Sequence, residues 1–132
     1  MPKQDALVTI SGRVIRGDGY GKVLGFPTAN LDRRHFMRLN NQPRLGIYAG
    51  RASVGVKIYA AAIVIGPKDK KGLPKIEAHL LDFRGNLYGK KLSIQLIQYL
   101  RPFKPYTTEK NLIQQIMLDV KKVRAIIKQK TK

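Results

Sequence analysis

The chain has 132 residues, the length of one domain with its own hydrophobic core. It carries 26 Lys and Arg against eight Asp and Glu, a formal net charge of +18. The absence of cysteine excludes disulfides and thiolate-held metal centres. The opening segment, MPKQDALVTISG, lacks the apolar core of a signal peptide, and no run approaches a membrane span. A monomeric cytoplasmic protein without a membrane partner is therefore expected. The charge attracts polyanions, nucleoside triphosphates and nucleic acid among them. Its cations are dispersed, from Arg33, Arg34 and Arg38 to the lysines between 121 and 132.

Val8, Ile10, Gly12 and Val14 alternate over an opening strand. Residues 46–54 and 57–65 are β-rich runs around Val54-Gly55-Val56 and predict a hairpin. A polar loop with two prolines is expected over 66–75. Strands follow at 76–83 and 92–100, separated by the turn-prone Arg84-Gly85-Asn86. After Pro105 a helix is expected, with Thr107 or Thr108 as N-cap and Glu109 in its first turn. Leu112, Ile116, Val120, Val123 and Ile127 give it an apolar stripe, read as core. At least five short strands and one helix make a mainly β domain. A small closed barrel is its economical form, because closure removes unpaired edges. No repeat or linker suggests a second domain, so residues 1–132 read as one unit.

The stretch over residues 12–30, GRVIRGDGYGKVLGFPTAN, is the most informative. Gly17, Gly19, Gly21 and Gly25 surround Lys22. Glycines let a backbone approach a ligand closely, and Lys22 adds a positive charge, so the segment can cradle phosphate. The same residue types also make a plain surface loop, and the spacing is not that of a Walker loop. The tail is more particular. Thr28 and Asn30 fall on the same side if the segment is extended, and their neutral oxygens suit a phosphate-bound Mg²⁺.

Acid–base chemistry must draw on Asp5, Asp18, Asp32, Asp69, Glu77, Asp82, Glu109 and Asp119, with His35 and His79. No histidine pair has helical zinc-binding spacing. Asp5 and Asp69 read as surface charges, Glu109 as helix-start chemistry and Asp119 as half of a structural ion pair. Glu77 begins an apolar strand and would share a face with His79. It is either an exposed strand-end acid or a base directed into a cavity.

The series GRVIRGxGxGKxLGFPTAN, GIYAG at 46–50, EAHLLDFxGNLYGKKL at 77–92 and YLRP at 99–102 resembles the riboflavin kinase (flavokinase) family over nearly the whole chain. The resemblance implies a six-stranded closed β-barrel with a C-terminal helix packed on it. It also implies transfer of the ATP γ-phosphate to the 5′-hydroxyl of riboflavin, giving FMN and ADP. By the same resemblance Glu77 is the base. Gly17 and Lys22 contact the phosphates, and Thr28 and Asn30 hold Mg²⁺. Leu80 (through its backbone), Asp82 and Tyr88 line the adenine pocket, while Arg101, Lys104 and Tyr106 contact the flavin. His79 is read as a supporting strand residue.

Three positions depart from the family pattern. Pro67 and a lysine-rich loop replace an IGTRPT sequence, Phe103 replaces an acid after LRP, and Glu109 stands where relatives carry an apolar residue. A monofunctional kinase without the FAD-forming domain is expected. The competing reading is a basic, non-enzymatic barrel that binds RNA. Arg101 carries two readings as well, a flavin contact or a partner for Asp119.

Overall fold

In the computed structural model, which describes residues 8–17 and 25–131, the first alternating segment is strand β1 (Val8–Ile15). It is followed by β2 (Ala29–Leu31), a one-turn helix α1 (Arg34–Met37), β3 (Gly46–Val54), β4 (Lys57–Lys68), β5 (Pro74–Leu80), β6 (Lys91–Arg101) and the long helix α2 (Glu109–Thr131). The six strands close in the order β1-β2-β5-β4-β3-β6, each pair antiparallel. This is the expected barrel with its C-terminal helix. The sixth strand is β2, formed by the end of the Pro-Thr-Ala-Asn tail. It is only three residues long, too short for an alternation pattern to reveal.

Other boundaries shift for physical reasons. Half of the loop expected at 66–75 is strand: β4 continues to Lys68, and Lys68 pairs with Pro74 across a bulged register. The true turn is 69–73, and Asp69 organises it. Its Oδ1 accepts the Lys71 and Leu73 N–H groups at 2.8 and 3.1 Å, and its Oδ2 accepts Arg33 Nη1 at 2.6 Å. Asp69 is thus a turn residue with an ion pair, where composition suggested a plain surface charge. Strand β5 stops at Leu80, short of Phe83, and Asp82 two residues on has φ +64°, a value incompatible with a strand.

Inside the barrel lie Ile10, Leu31, Ile63, Ile65, Ile76, Leu92 and Ile94, the inward halves of their alternating strands. A second cluster forms on the outside, where Val123 and Ile127 of α2 meet Ala49, Ala62 and Leu81. The alanines keep this face shallow, so the helix can approach the sheet closely. Burying each of the two helix side chains contributes about 1.5–3 kcal/mol. Thr108 caps α2, its Oγ1 accepting the Asn111 N–H at 3.1 Å. The apolar stripe divides. Val123 and Ile127 are core, whereas Leu112 and Ile116 form the wall of a cavity between helix and barrel. No helix among the described residues is long and apolar enough to cross a membrane.

Candidate active site

The barrel register assembles one ring of outward-facing positions. Ile15 pairs with Asn30, Asn30 with Glu77, Glu77 with Val64, Val64 with Ile47, and Ile47 with Arg101. Directly paired residues on antiparallel strands share a face, and their chain neighbours Val14, Leu31, Ile76, Ala78, Ile63 and Ile65 occupy the interior. The ring therefore runs over the barrel's exterior, from the exit of the glycine segment to the start of the segment leading into α2.

Part of this ring borders a cavity of about 270 Å³ between the barrel and α2. Thr28, Glu77, Arg101, Lys104 and Tyr106, distant in sequence, all line it. Phe26, Ile47, Val64, Phe103, Leu112 and Ile116 supply apolar walls. The Glu77 side chain is 19% exposed, with Oε2 3.3 Å from Lys75 Nζ. The 26–28 segment is held by His79, whose Nδ1 lies 2.8 Å from the Pro27 carbonyl oxygen and whose ring meets Phe26 edge-on. His79 thus contacts the two residues before Thr28 and itself lines the cavity.

Asn30 lies opposite Glu77 in the β2–β5 ladder. Gly17 packs against the Asn30 amide so tightly that a Cβ would overlap it. A side chain at position 17 would displace that amide. Lys22 lies outside the described residues. At the other end, Arg101 donates from Nε and Nη2 to Asp119 at 3.0 and 2.7 Å, and Gln115 Nε2 donates to the same carboxylate at 3.0 Å. Asp119 is 4% exposed. Its hydrogen bonds hold the Arg101 guanidinium above its already high ordinary value. Of the two sequence readings of Arg101, the partnership with Asp119 is present, and Arg101 also lines the cavity. The Tyr106 hydroxyl is buried with no hydrogen-bond partner among the described residues.

Three expected nucleotide residues lie away from the cavity. Leu80 is buried in the barrel interior. Asp82 forms two 2.9 Å bonds with Arg124 of α2, which lower its carboxyl below the ordinary value. Tyr88 is 52% exposed, with Arg16 4.5 Å above its ring. Phe103, one departure, lies beside Gly66, the residue before the Pro67 departure: the space a Gly66 Cβ would take is bounded by Phe103 and Leu45, and Gly66 has φ +90°.

Lys75 is the cavity residue that motif reading passed over. The available signal was its place two residues before Glu77, on the same face of a strand.

Among known protein families, the riboflavin kinase (flavokinase) model matches residues 5–127. The chain belongs to this family. A riboflavin kinase of Homo sapiens is 35% identical over 118 residues, covering 86% of this chain and 76% of the relative. A bifunctional riboflavin kinase/FMN adenylyltransferase of Listeria monocytogenes is 35% identical over 124 residues, covering 89% of this chain but 37% of that protein. The chain thus spans little more than a third of such bifunctional relatives. The crystal structure of riboflavin kinase from Trypanosoma brucei shares the fold, with a TM-score of 0.67 and 24% identity over 92% of this chain and 80% of that one.

Proposed function

We propose that the protein is an ATP-dependent riboflavin kinase, converting riboflavin and ATP to FMN and ADP. One observation carries the reading: Glu77 stands where the Thr28–Asn30 edge meets an apolar cavity that ends in Tyr106, Arg101 and Lys104. Phosphoryl transfer asks chiefly for positioning and charge compensation around an in-line displacement. A carboxylate between a phosphate-binding edge and a flat apolar slot can accept the proton of a hydroxyl presented from that slot.

In this reading the isoalloxazine ring lies between the barrel wall and α2, against Ile47, Val64 and Leu112. The buried Tyr106 hydroxyl supports it, because a polar ligand would satisfy a group otherwise left unpaired at a cost of about 1–3 kcal/mol. Arg101 and Lys104 offer donors at the same end. Glu77 holds the 5′-hydroxyl and takes its proton. Gly17 and Lys22 are assigned to the phosphates, and the Leu80 backbone, Asp82 and Tyr88 to adenine. Tyr88 has an exposed ring on which a base can stack, and Asp82 would have to share its carboxylate with Arg124.

Thr28 and Asn30 suit a hard, oxygen-seeking cation. They are neutral, two residues apart and on the edge facing Glu77. Among the described residues no group of three His, Cys, Asp or Glu is placed to hold a metal. That arrangement suits Mg²⁺ carried in with the triphosphate, whose oxygens and waters complete its shell. Bound there, Mg²⁺ would neutralise charge on the phosphates.

The test is direct. Purified protein incubated with riboflavin, ATP and Mg²⁺ should yield FMN, resolved by chromatography. Absence of FMN, together with salt-sensitive RNA binding, would favour the basic barrel without enzymatic activity.

A further inference from the structure

Thr28 and Asn30 are held in different ways. Asn30 belongs to β2 and is fixed by the ladder, opposite Glu77. Thr28 precedes β2, whose pairing with β5 begins at Ala29 opposite Ala78. The same register carried one residue further would set His79 opposite Thr28. The backbone of His79 is fixed from its other side, by pairing with Ala62 of β4. Its side chain reaches past the end of the β2 ladder, with Nδ1 2.8 Å from the Pro27 carbonyl oxygen and the ring edge-on to Phe26. A carbonyl oxygen only accepts, so Nδ1 carries the proton and donates it.

That bond acts on the one soft dihedral left at Pro27. The proline ring holds φ, and ψ sets the direction of the carbonyl. Peptide planarity carries the orientation onward, because the Pro27 C=O and the Thr28 N–H lie in one plane. We propose that His79 is a positioning residue of the metal-binding edge. By donating to the Pro27 carbonyl, it keeps the Thr28 hydroxyl on the same side as the Asn30 amide. This rests on the kinase reading and its assignment of Thr28 and Asn30 to Mg²⁺. Two neutral oxygens that are already aligned bind a cation better than two that must be ordered first. His79 touches neither phosphate nor metal in this scheme. It acts through the backbone, as outer partners of metal ligands do.

Substitutions can separate the hydrogen bond from the ring. His79→Phe keeps an aromatic edge for Phe26 and loses the donor. His79→Asn loses the ring and keeps an amide N–H close to the place of Nδ1. Each is compared with wild type for ADP affinity by calorimetry, in Mg²⁺ and in EDTA, and for riboflavin affinity by flavin fluorescence quenching. His79→Phe should weaken ADP at least ~5-fold in Mg²⁺, the scale of a lost hydrogen bond, but change ADP in EDTA and riboflavin by no more than ~2-fold. His79→Gln, whose amide reaches the place of Nε2 instead, should behave as His79→Phe does. His79→Asn should recover most of the Mg²⁺-dependent affinity, which a role in packing alone would not produce. An Asn variant no better than Phe or Gln overturns the proposal, as does a loss in His79→Phe that is equally large in EDTA. Riboflavin affinity falling in step with that of ADP also overturns it and makes His79 a wall of the flavin slot. In each of those cases wild type still makes FMN. Wild-type protein that makes none removes the kinase reading itself, and this inference with it.

Discussion

Glu77 draws its meaning from its neighbours. Its own strand supplies Lys75 and His79 at two-residue steps, and the adjacent strand supplies Asn30 directly opposite. If Glu77 takes the hydroxyl proton, Glu77→Gln should lower kcat by at least ~100-fold, the scale of a lost general base. Nucleotide affinity should stay near wild type, because Gln keeps the shape and the phosphate edge is untouched. Turnover close to wild type in a rapid FMN assay would remove Glu77 from this role. Thr28 and Asn30 were legible as a same-side pair because period-two alternation is a local property, whereas Glu77 was singled out only by the family motif, alternation alone leaving it an exposed strand-end acid or a cavity base. Lys75 was legible only in principle, as one lysine among many. What singles it out is its 3.3 Å approach to Glu77 in the folded chain.

At the scale of elements, the barrel depends on places where two backbones come unusually close. Strands β3 and β6 shift register between Ala49 and Gly50, and a Cβ on Gly50 would overlap the Gln95 carbonyl oxygen and press on Ile63. Gly50→Ala should therefore cost about 1–3 kcal/mol of stability, as other overpacked positions do. A urea midpoint equal to that of wild type would mean that the strands yield more easily than their spacing implies. The β4–β5 turn offers a test by pH. Arg33 foremost, then the Leu73 N–H, lowers the Asp69 carboxyl from 3.8 to about 2. A depressed carboxyl contributes stability that is fully present above 3.8 and is lost as pH falls through about 2. Asp69→Asn should therefore lose less thermal stability than wild type between those two pH values. Parallel melting curves across that window would show that the ion pair contributes nothing measurable. Both features escaped sequence reading. A glycine in a β-rich run does not announce which backbone will lie against it, and Asp69 shows its role only once the chain turns back toward Arg33.

For the whole molecule the dominant property is a charge of +18. Like charges confined to a compact barrel repel one another, and salt relieves that repulsion within a Debye length of about 8 Å at physiological ionic strength. The thermal midpoint should therefore rise as sodium chloride increases from ~10 to ~150 mM. A midpoint that falls over that range would indicate that the ion pairs of Arg33, Arg101 and Arg124 outweigh the general repulsion. Composition, alternation and helical periodicity by themselves determined a mainly β domain closed by a C-terminal helix. Motif order determined the family, because these properties live in local spacing. Only the tertiary structure decided that Asn30, Glu77 and Arg101 belong to one exterior ring, that Leu112 and Ile116 wall a cavity, and that Asp82 reaches Arg124. Those relations depend on strand register and on the docking of α2. Both are set by contacts between residues far apart in the chain, which no local pattern encodes.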